Sequence, residues 1–319
     1  MTGASGLLGG AVAAGMVVAG HEVRTFQRRP SGVPDAADVA GSVTDPGAVD
    51  RAVRGVDAVV HLAAKVSLSG DPRDFERINV EGTRLLVDRA RRAGVGRLVM
   101  VSSPSVAHVG ASIVGEGAGV ADPVAARGDY ARTKARAERI ALAADGDSFP
   151  VVAVRPHLVW GPGDTQLVAR IVDRARRGRL PLLGHGAALI DSTYLDNAAS
   201  AIVAATHRAP EVHGRAFVIT NGEPRPVAEL MAGICRAAGV TPPSWRVPAG
   251  LARTAGSVVE ALWAVRPGAD EPPMTRFLAE QLSTAHWFDQ RATRADLGWA
   301  PAVSLDEGLE RLAAFYGTR

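Results

Sequence analysis

The sequence has a single cysteine, Cys235, in 319 residues. That excludes an internal disulfide and fits a reducing cytoplasm, where the chain is expected to reside. Lysine is almost as scarce: of 36 basic residues only Lys65 and Lys134 are lysines, and net charge is only +3. No apolar run approaches the roughly 20 residues of a membrane helix, so no span is expected. The apolar run from Gly6 to Gly20 lacks the basic flank of a secretion signal. Aromatic residues make up 5%, and none is interleaved in the arginine-rich stretches 89–97 and 170–179. These stretches therefore read as solvated helix faces, with no nucleic-acid partner expected. Internal repeats and low-complexity tails are absent too. What remains is an ordinary globular composition, 47% hydrophobic and 22% charged, long enough for one large domain or two modest ones.

One further absence is structural. Gly3, Gly6 and Gly9 follow the spacing Gly-x-x-Gly-x-x-Gly and lead directly into an Ala-rich helical pattern. Glycines allow a tight turn and close backbone approach to a pyrophosphate, with the helix N-terminus facing the anion. Such a turn normally follows a β-strand, and the sequence provides none before Met1. In a doubly wound sheet that strand is central, so the reading frame is expected to continue upstream by about five residues of strand pattern.

Strand and helix patterns then alternate. A helix is expected from Leu7 to Ala19, a strand over 22–27, a strand end over Gly41–Asp45, and a helix from Pro46 to Arg54. Asp57–Ala64 reads as a buried parallel strand whose small terminal residues, Ala63 and Ala64, leave room for a ligand at the sheet edge. His61 within it reads as structural. A helix over 72–93, a strand over 97–103, a loose stretch over 104–128, a helix from Asp129 and a strand over 151–155 complete the alternation. This predicts an α/β fold of the Rossmann type, a doubly wound parallel sheet. A helix over 166–177, a helix from Thr193 to Thr206, a strand over 216–220 and mostly helices from Val227 onward follow. The expected division is a dinucleotide-binding domain over 1–158, to which 191–221 returns, and a smaller substrate lobe over 159–190 and 222–319. The strand over 22–27 ends in Gln27-Arg28. An acid there would bind both ribose hydroxyls of NAD, whereas arginine suits the extra phosphate of NADP, so NADP(H) is expected, with NAD(H) possible.

Tyr130 and Lys134 lie four apart on a predicted helix and so share a face. With three tyrosines and two lysines in the chain, chance gives that spacing about 2% of the time, which makes it a sharper signal than the glycines. In so lysine-poor a chain arginine could have filled any surface role. A compact ammonium lowers a neighbouring phenol pKa and binds ribose hydroxyls. Ser103, at the end of the strand before the loose stretch, is placed to supply a third hydroxyl.

The segments TGASGLLGG, DAVVHLAA, INVEGT, VSS, YARTK and RPHLVWGPGD, in this order and spacing, resemble the extended short-chain dehydrogenase/reductase family over nearly the whole chain. The resemblance implies Tyr130 as acid/base, Lys134 as its electrostatic partner and ribose anchor, and Ser103 holding the substrate oxygen. It places Gly3, Ser5, Gly6, Leu7, Leu8, Gly9, Val43, Leu62, Ala63, Ala64 and Asn79 around the dinucleotide. Pro156 to Val159 fall near the nicotinamide and Arg28 at the 2′-phosphate. Two positions depart from the pattern: Ser42 replaces the usual Asp and Trp160 the usual Tyr. Such chemistry needs no metal.

RPHLVWGPGDTQLVARI and LSTAHWFDQRATRADLGW are most similar to 3β-hydroxysteroid dehydrogenase-type members, a group that includes 2-alkyl-3-oxoalkanoate reductases. The apolar stretch Trp245–Trp263, with Leu251, Val258, Val259, Leu262 and Trp263, suits a greasy ketone or alcohol, or forms core between lobes. The expected activity interconverts a ketone and a secondary alcohol on an apolar, 3-oxoacyl- or sterol-like substrate. The alternatives are a sugar-nucleotide epimerase or dehydratase with tightly bound NAD, and a non-catalytic NADP-binding sensor. The family resemblance also implies a homodimer formed through the helices near 72–93 and 129–145.

Overall fold

The computed structural model describes residues 1–67, 70–264, 280 and 282–318. Pro267-Gly268 and Pro272-Pro273, where the sequence predicts breaks between C-terminal helices, and the side chains of Val258, Leu262 and Trp263, lie outside the described residues. Seven parallel segments form the central sheet. Strands β3 (Ala58–His61), β4 (Arg97–Val101), β6 (Val151–Pro156) and β11 (Arg215–Ile219) pair in the order β11-β6-β4-β3. β1 (Val23–Gln27) pairs with β2 (Ala36–Ala40). Thr2 joins the two groups, bridged in parallel to Phe26 and to His61. Its amide donates to the Val60 carbonyl (2.9 Å), and the amide of Phe26 donates to the Met1 carbonyl (2.7 Å). Met1 to Gly3 thus occupies the slot where the sequence predicts a central strand.

Valine dominates the inner strands because both faces are covered. Successive side chains of β4 alternate between two cores. Val99 and Val101 meet Val12, Met16, Ile202 and Phe217 under α1 (Leu7–Val18) and α7 (Leu195–Val212). Leu98 and Met100 meet Phe26, Val49, Leu86 and Phe149 under α2 (Pro46–Val53), α4 (Gly82–Arg92) and α5 (Gly128–Leu142). A third core, with Trp160, Ile171, Ile190, Met231 and Ile234, lies among α6 (Val168–Arg176), α8 (Val227–Ala237) and the C-terminal helix α11 (Leu305–Gly317). Cys235 is buried there. Helix α9 (Ala249–Ala264) and the short pairs β7 (Val159–Trp160) with β10 (Thr193–Tyr194) and β8 (Leu182–Leu183) with β13 (Arg246–Val247) complete this part, whereas α10 (Arg291–Leu297) packs its Leu297 into the first core beside α7. Among the described residues no helix is long and apolar enough to cross a membrane.

Three expectations are corrected. The second strand is Ala36–Ala40, not Gly41–Asp45; its alanine-rich sequence has little β propensity, and pairing with β1 creates it. Residues 41–45 instead turn into α2, which Asp45 caps through the amides of Gly47 and Ala48. The helix predicted over 72–93 is interrupted: α3 (Pro72–Phe75) and α4 flank a π-helical turn, Glu76–Glu81, that carries Asn79. The loose stretch 104–128 contains a 3₁₀ turn, Pro104–Ala107, and β5 (Ile113–Glu116). β5 pairs with β14 (His286–Phe288) in a second sheet of order β12-β9-β14-β5, with β9 at Leu189–Ile190 and β12 at Arg225–Pro226. Strands of two to four residues drawn together from distant parts of the chain leave no local pattern to read.

A buried ion pair fastens α5 to the sheet. Arg155 on β6 donates from Nε and Nη2 to the Glu138 carboxylate (2.9 and 2.5 Å), and both side chains are fully buried. Its Nη1 donates to the carbonyls of Ala118 and Gly119, pinning the loop that precedes α5. Removing one partner of such a pair strands a buried charge at about 3–5 kcal/mol, whereas replacing both can be neutral. Arg155→Met should therefore cost about 3–5 kcal/mol in urea unfolding, with most of it restored in Arg155→Met/Glu138→Leu. Equal losses in the single and double variants would contradict this account.

Candidate active site

The first turn depends on glycine at two positions. Gly3 has φ +78°, and a Cβ there would approach the Ala63 amide at 2.9 Å; a Cβ on Gly9 would lie 2.2 Å from the Gly3 carbonyl oxygen. Gly6 is different: its missing Cβ meets only the Gly3 carbonyl, at 3.5 Å. The surface above Gly6 is open, no side chain caps α1, and no acid sits in its first turn. Those features fit the pyrophosphate of a dinucleotide.

Behind this turn runs a buried chain of hydrogen bonds. The Thr2 hydroxyl accepts from the amides of Leu62 and Ala63 (3.1 and 2.9 Å) and donates to His61 Nδ1 (2.8 Å). Thr83 donates to the Asn79 carbonyl (2.6 Å) and so accepts from His61 Nε2–H (2.9 Å). The imidazole is thereby fixed as the neutral Nε2–H tautomer. Burial, and secondarily the charge of Lys134, push its pKa down to about 3. Asn79 accepts from the Lys65 amide (2.7 Å) and donates to the Thr133 hydroxyl (3.1 Å) on α5.

Thr133 lies on the segment that bears the candidate catalytic pair. Tyr130 and Lys134 stand one turn apart on α5, and Lys134 Nζ donates to the Val101 carbonyl at the end of β4 (2.7 Å). Burial lowers the Lys134 pKa to about 8, opposed by Glu138. Burial raises the Tyr130 phenol to about 12, opposed by its hydrogen bond with Ser103. The fold thus brings together Ser103, Tyr130 and Lys134. The Ser103 hydroxyl also accepts from Ser105 Oγ (3.0 Å), a residue the sequence does not single out.

The other candidate positions divide by exposure. Ser5, Gly6 and Leu7 are exposed, while Gly3, Leu8, Leu62, Ala63 and Ala64 are half-buried around the turn. Gly9, Asn79 and Pro156 are buried. Val43 packs its side chain on Gly82 in the core, so only its backbone can face a ligand. Ser42 bonds Thr44 Oγ1 at 2.8 Å. Arg28 is exposed at the end of β1 and, among the described residues, has no partner. Beside it Gln27 donates to Asp38 (2.9 Å), and its buried Oε1 accepts nothing from the described residues. An unsatisfied acceptor next to an unpaired guanidinium fits the adenosine end of a dinucleotide.

Ser103 and Tyr130 open into a cavity of about 340 Å³. Among the described residues its apolar wall comes from Ile171, Ile190, Leu230, Met231, Leu282 and Phe288; of the stretch 245–263, Trp245 and Leu251 are exposed. Leu158 lines it in a left-handed conformation (φ 43°), strain of the kind held at functional sites. His108, His157 and His286 line it too; His157 falls in the segment expected near the nicotinamide, whereas His108 and His286 carry no local signal because only the tertiary fold brings them to it. Among the described residues no group of His, Cys, Asp or Glu could hold a metal.

The neutral state of His61 sets a pH dependence. Its folded pKa lies below the ordinary 6.5, so its contribution is complete above pH 6.5 and drains away as pH falls toward 3. The slope reaches about 1.4 kcal/mol per pH unit. His61→Phe should cost about 2 kcal/mol at pH 7 by leaving the Thr2 and Thr83 hydroxyls short of a partner. It should also flatten the stability profile between pH 6 and 4. An unchanged acid slope in urea melts would argue against a neutral His61.

Residues 1–220 match the model of the NAD dependent epimerase/dehydratase family. The chain is 44% identical over 326 residues to the 2-alkyl-3-oxoalkanoate reductase of Stenotrophomonas maltophilia, covering 98% of each chain. It is 30% identical to the 3-beta-hydroxysteroid dehydrogenase of Mycolicibacterium neoaurum, covering 99% of this chain and 90% of that one. A short-chain dehydrogenase/reductase superfamily protein from Agrobacterium tumefaciens, solved with bound NAD, shares the fold at a TM-score of 0.78 and 23% identity, over 100% of this chain and 96% of that one. A family model matched over residues 1–220 and relatives aligned over nearly their whole length place this chain in the NAD-dependent epimerase/dehydratase family.

Proposed function

We propose that the protein is an NADP(H)-dependent oxidoreductase that interconverts a ketone and a secondary alcohol on an apolar 3-oxoacyl- or sterol-like substrate, with a 2-alkyl-3-oxoalkanoate as the favoured example. The observation that carries this reading is the largely apolar cavity opening directly on Ser103 and Tyr130. A sugar nucleotide would bring a diphosphate and a base into that space; Arg170 and Arg174 also line it, but the wall of Ile171, Leu230, Met231 and Phe288 offers the base and the sugar hydroxyls little. The names of the relatives support the same substrate class.

In this reading residues 1–158 with 191–221 hold the dinucleotide, and 159–190 with 222–319 form the substrate lobe. Gly3, Ser5, Gly6, Leu7, Leu8 and Gly9 cradle the pyrophosphate. Leu62 to Ala64, Asn79 and the Val43 backbone line the adenosine and ribose side. Pro156 and Val159 border the nicotinamide. When bound, that ring supplies or accepts the hydride at the carbonyl carbon. Ser103 donates a hydrogen bond to the carbonyl oxygen and stabilises the charge that develops there. Tyr130 carries its proton at neutral pH, as a general acid for reduction must, and Lys134 offsets the charge left on the phenolate. Arg28 binds the 2′-phosphate, while Asp38 is occupied by Thr25, Gln27 and the Ser31 amide.

Two variants test these roles. Tyr130→Phe should lower turnover by roughly 10²–10⁴-fold with cofactor affinity nearly intact, since only the proton donor is lost. Steady-state turnover within tenfold of wild type would contradict it. Arg28→Ala should weaken NADPH by a factor of about ten or more while leaving NADH nearly unchanged, because a charge-assisted contact to phosphate is worth roughly 1.5–3 kcal/mol. Equal losses in a fluorescence titration of the two cofactors would assign Arg28 another role.

A further inference from the structure

The three cavity histidines present an unusual balance of donors and acceptors. His157 Nδ1–H donates to the Asp191 carbonyl (2.7 Å), leaving Nε2 a bare acceptor. Thr284 donates to the Glu280 carbonyl (2.7 Å) and so accepts from His286 Nε2–H (3.1 Å), which fixes His286 Nδ1 as an acceptor. That Nδ1 is buried and, among the described residues, unpartnered. His108 is only 2% exposed, its ring stands edge-on to His286 with centroids 4.7 Å apart, and neither of its nitrogens has a partner among the described residues. Unsatisfied buried polar atoms of this kind, opening into a largely apolar cavity, call for a ligand.

We propose that His108 and His286 bind the substrate's carboxyl group, and that this group enters together with one proton from solvent. The proposal rests on the oxoacid reading above and deepens it. A carboxylate offers only acceptors, and the two facing rings, both neutral, offer one N–H between them; one added proton provides the missing donor. Burial holds both rings neutral before binding, His286 at about 3 and His108 below its ordinary value. The charged and titratable groups acting most on them are His157, Glu280 and Arg127, and Tyr130 of α5 with Arg170 and Arg174 of α6 line the same cavity. Glu280 raises the His108 pKa and Arg127 lowers it, and these two are already joined to each other at 3.0 Å. An arriving carboxylate is therefore the charge that changes, and it favours the imidazolium. The same pair of rings discriminates a 3-oxo acid from its ester or from a plain ketone, since only the acid completes their bonding.

Decanoate is a chemically inert probe of this site. With the cofactor-loaded enzyme it should bind with uptake of close to one proton, measured calorimetrically at pH 8 in buffers of different ionisation enthalpy. Affinity should fall as pH rises from 7 to 9. His108→Gln should abolish the uptake and weaken decanoate at least tenfold without shifting the thermal midpoint, and His286→Leu should act alike. In the oxidative direction, where a 2-alkyl-3-hydroxyalkanoate and its methyl ester are both stable, His108→Gln should lower the acid-to-ester ratio of kcat/KM at least tenfold. Decanoate binding without proton uptake, no decanoate binding, an unchanged ratio, or a ratio that collapses in Arg170→Leu at the cavity mouth but not in His108→Gln would each overturn the proposal. A wild type that oxidises neither acid nor ester would sink the oxoacid reading alone, because the decanoate titration decides the carboxyl site by itself.

Discussion

The register between the glycine turn, α4 and α5 depends on one neutral imidazole. His61 sits where β3 ends, accepting from Thr2 of the glycine turn and donating to Thr83 of α4. Through Asn79 and Thr133 the same chain of bonds reaches α5 between Tyr130 and Lys134. The glycine turn and the helix that carries Tyr130 and Lys134 are thus parts of one hydrogen-bonded unit. A buried network of this sort rigidifies only when every member is satisfied, and here each donor along it has an acceptor. The depressed pKa of His61 follows from the same burial and keeps the tautomer from changing at physiological pH.

On the other side of α5 the fastening is ionic. Arg155 and Glu138 are both without solvent, and Arg155 reaches on to the carbonyls of Ala118 and Gly119. The loop from Pro104 that carries Ser105 and His108 into the cavity is therefore tied to the strand and helix that carry Pro156 and Tyr130. Helix position, loop position and cavity shape are coupled through this guanidinium. Its five fixed donors allow it to serve a carboxylate and two backbone oxygens at once, which a lysine could not do.

The parts legible in the sequence are those governed by local rules. A spacing of four on a helix puts Tyr130 and Lys134 on one face in any fold, and valine-rich runs mark β3, β4 and β6 as buried parallel strands. The glycine spacing also reads directly, and the structure assigns its members separate reasons: Gly3 for its positive φ, Gly9 for helix contact, Gly6 for open space. What could not be read is long-range. β5 and β14 exist only because they pair with each other, β2 only because β1 lies beside it, and the π-helical turn at Asn79 looks like ordinary helix in a periodicity. The described apolar wall of the cavity comes largely from α6, α8 and β14, which the sequence does not mark, since hydrophobicity along a chain does not say which face meets which. Buried histidines are silent for the same reason.

The central claim is that hydride moves once, from reduced cofactor to a substrate ketone in the cavity beside Tyr130, with net oxidation of the cofactor. NADPH deuterated at C4 of the nicotinamide, mixed with a 2-alkyl-3-oxoalkanoate and analysed by mass spectrometry, tests this most directly. The account predicts one deuterium at C3 of the resulting 3-hydroxyalkanoate, with one NADP⁺ released for each product formed. Label that never reaches C3, or a tightly held cofactor that returns its hydride to a sugar nucleotide with no net oxidation, would contradict it.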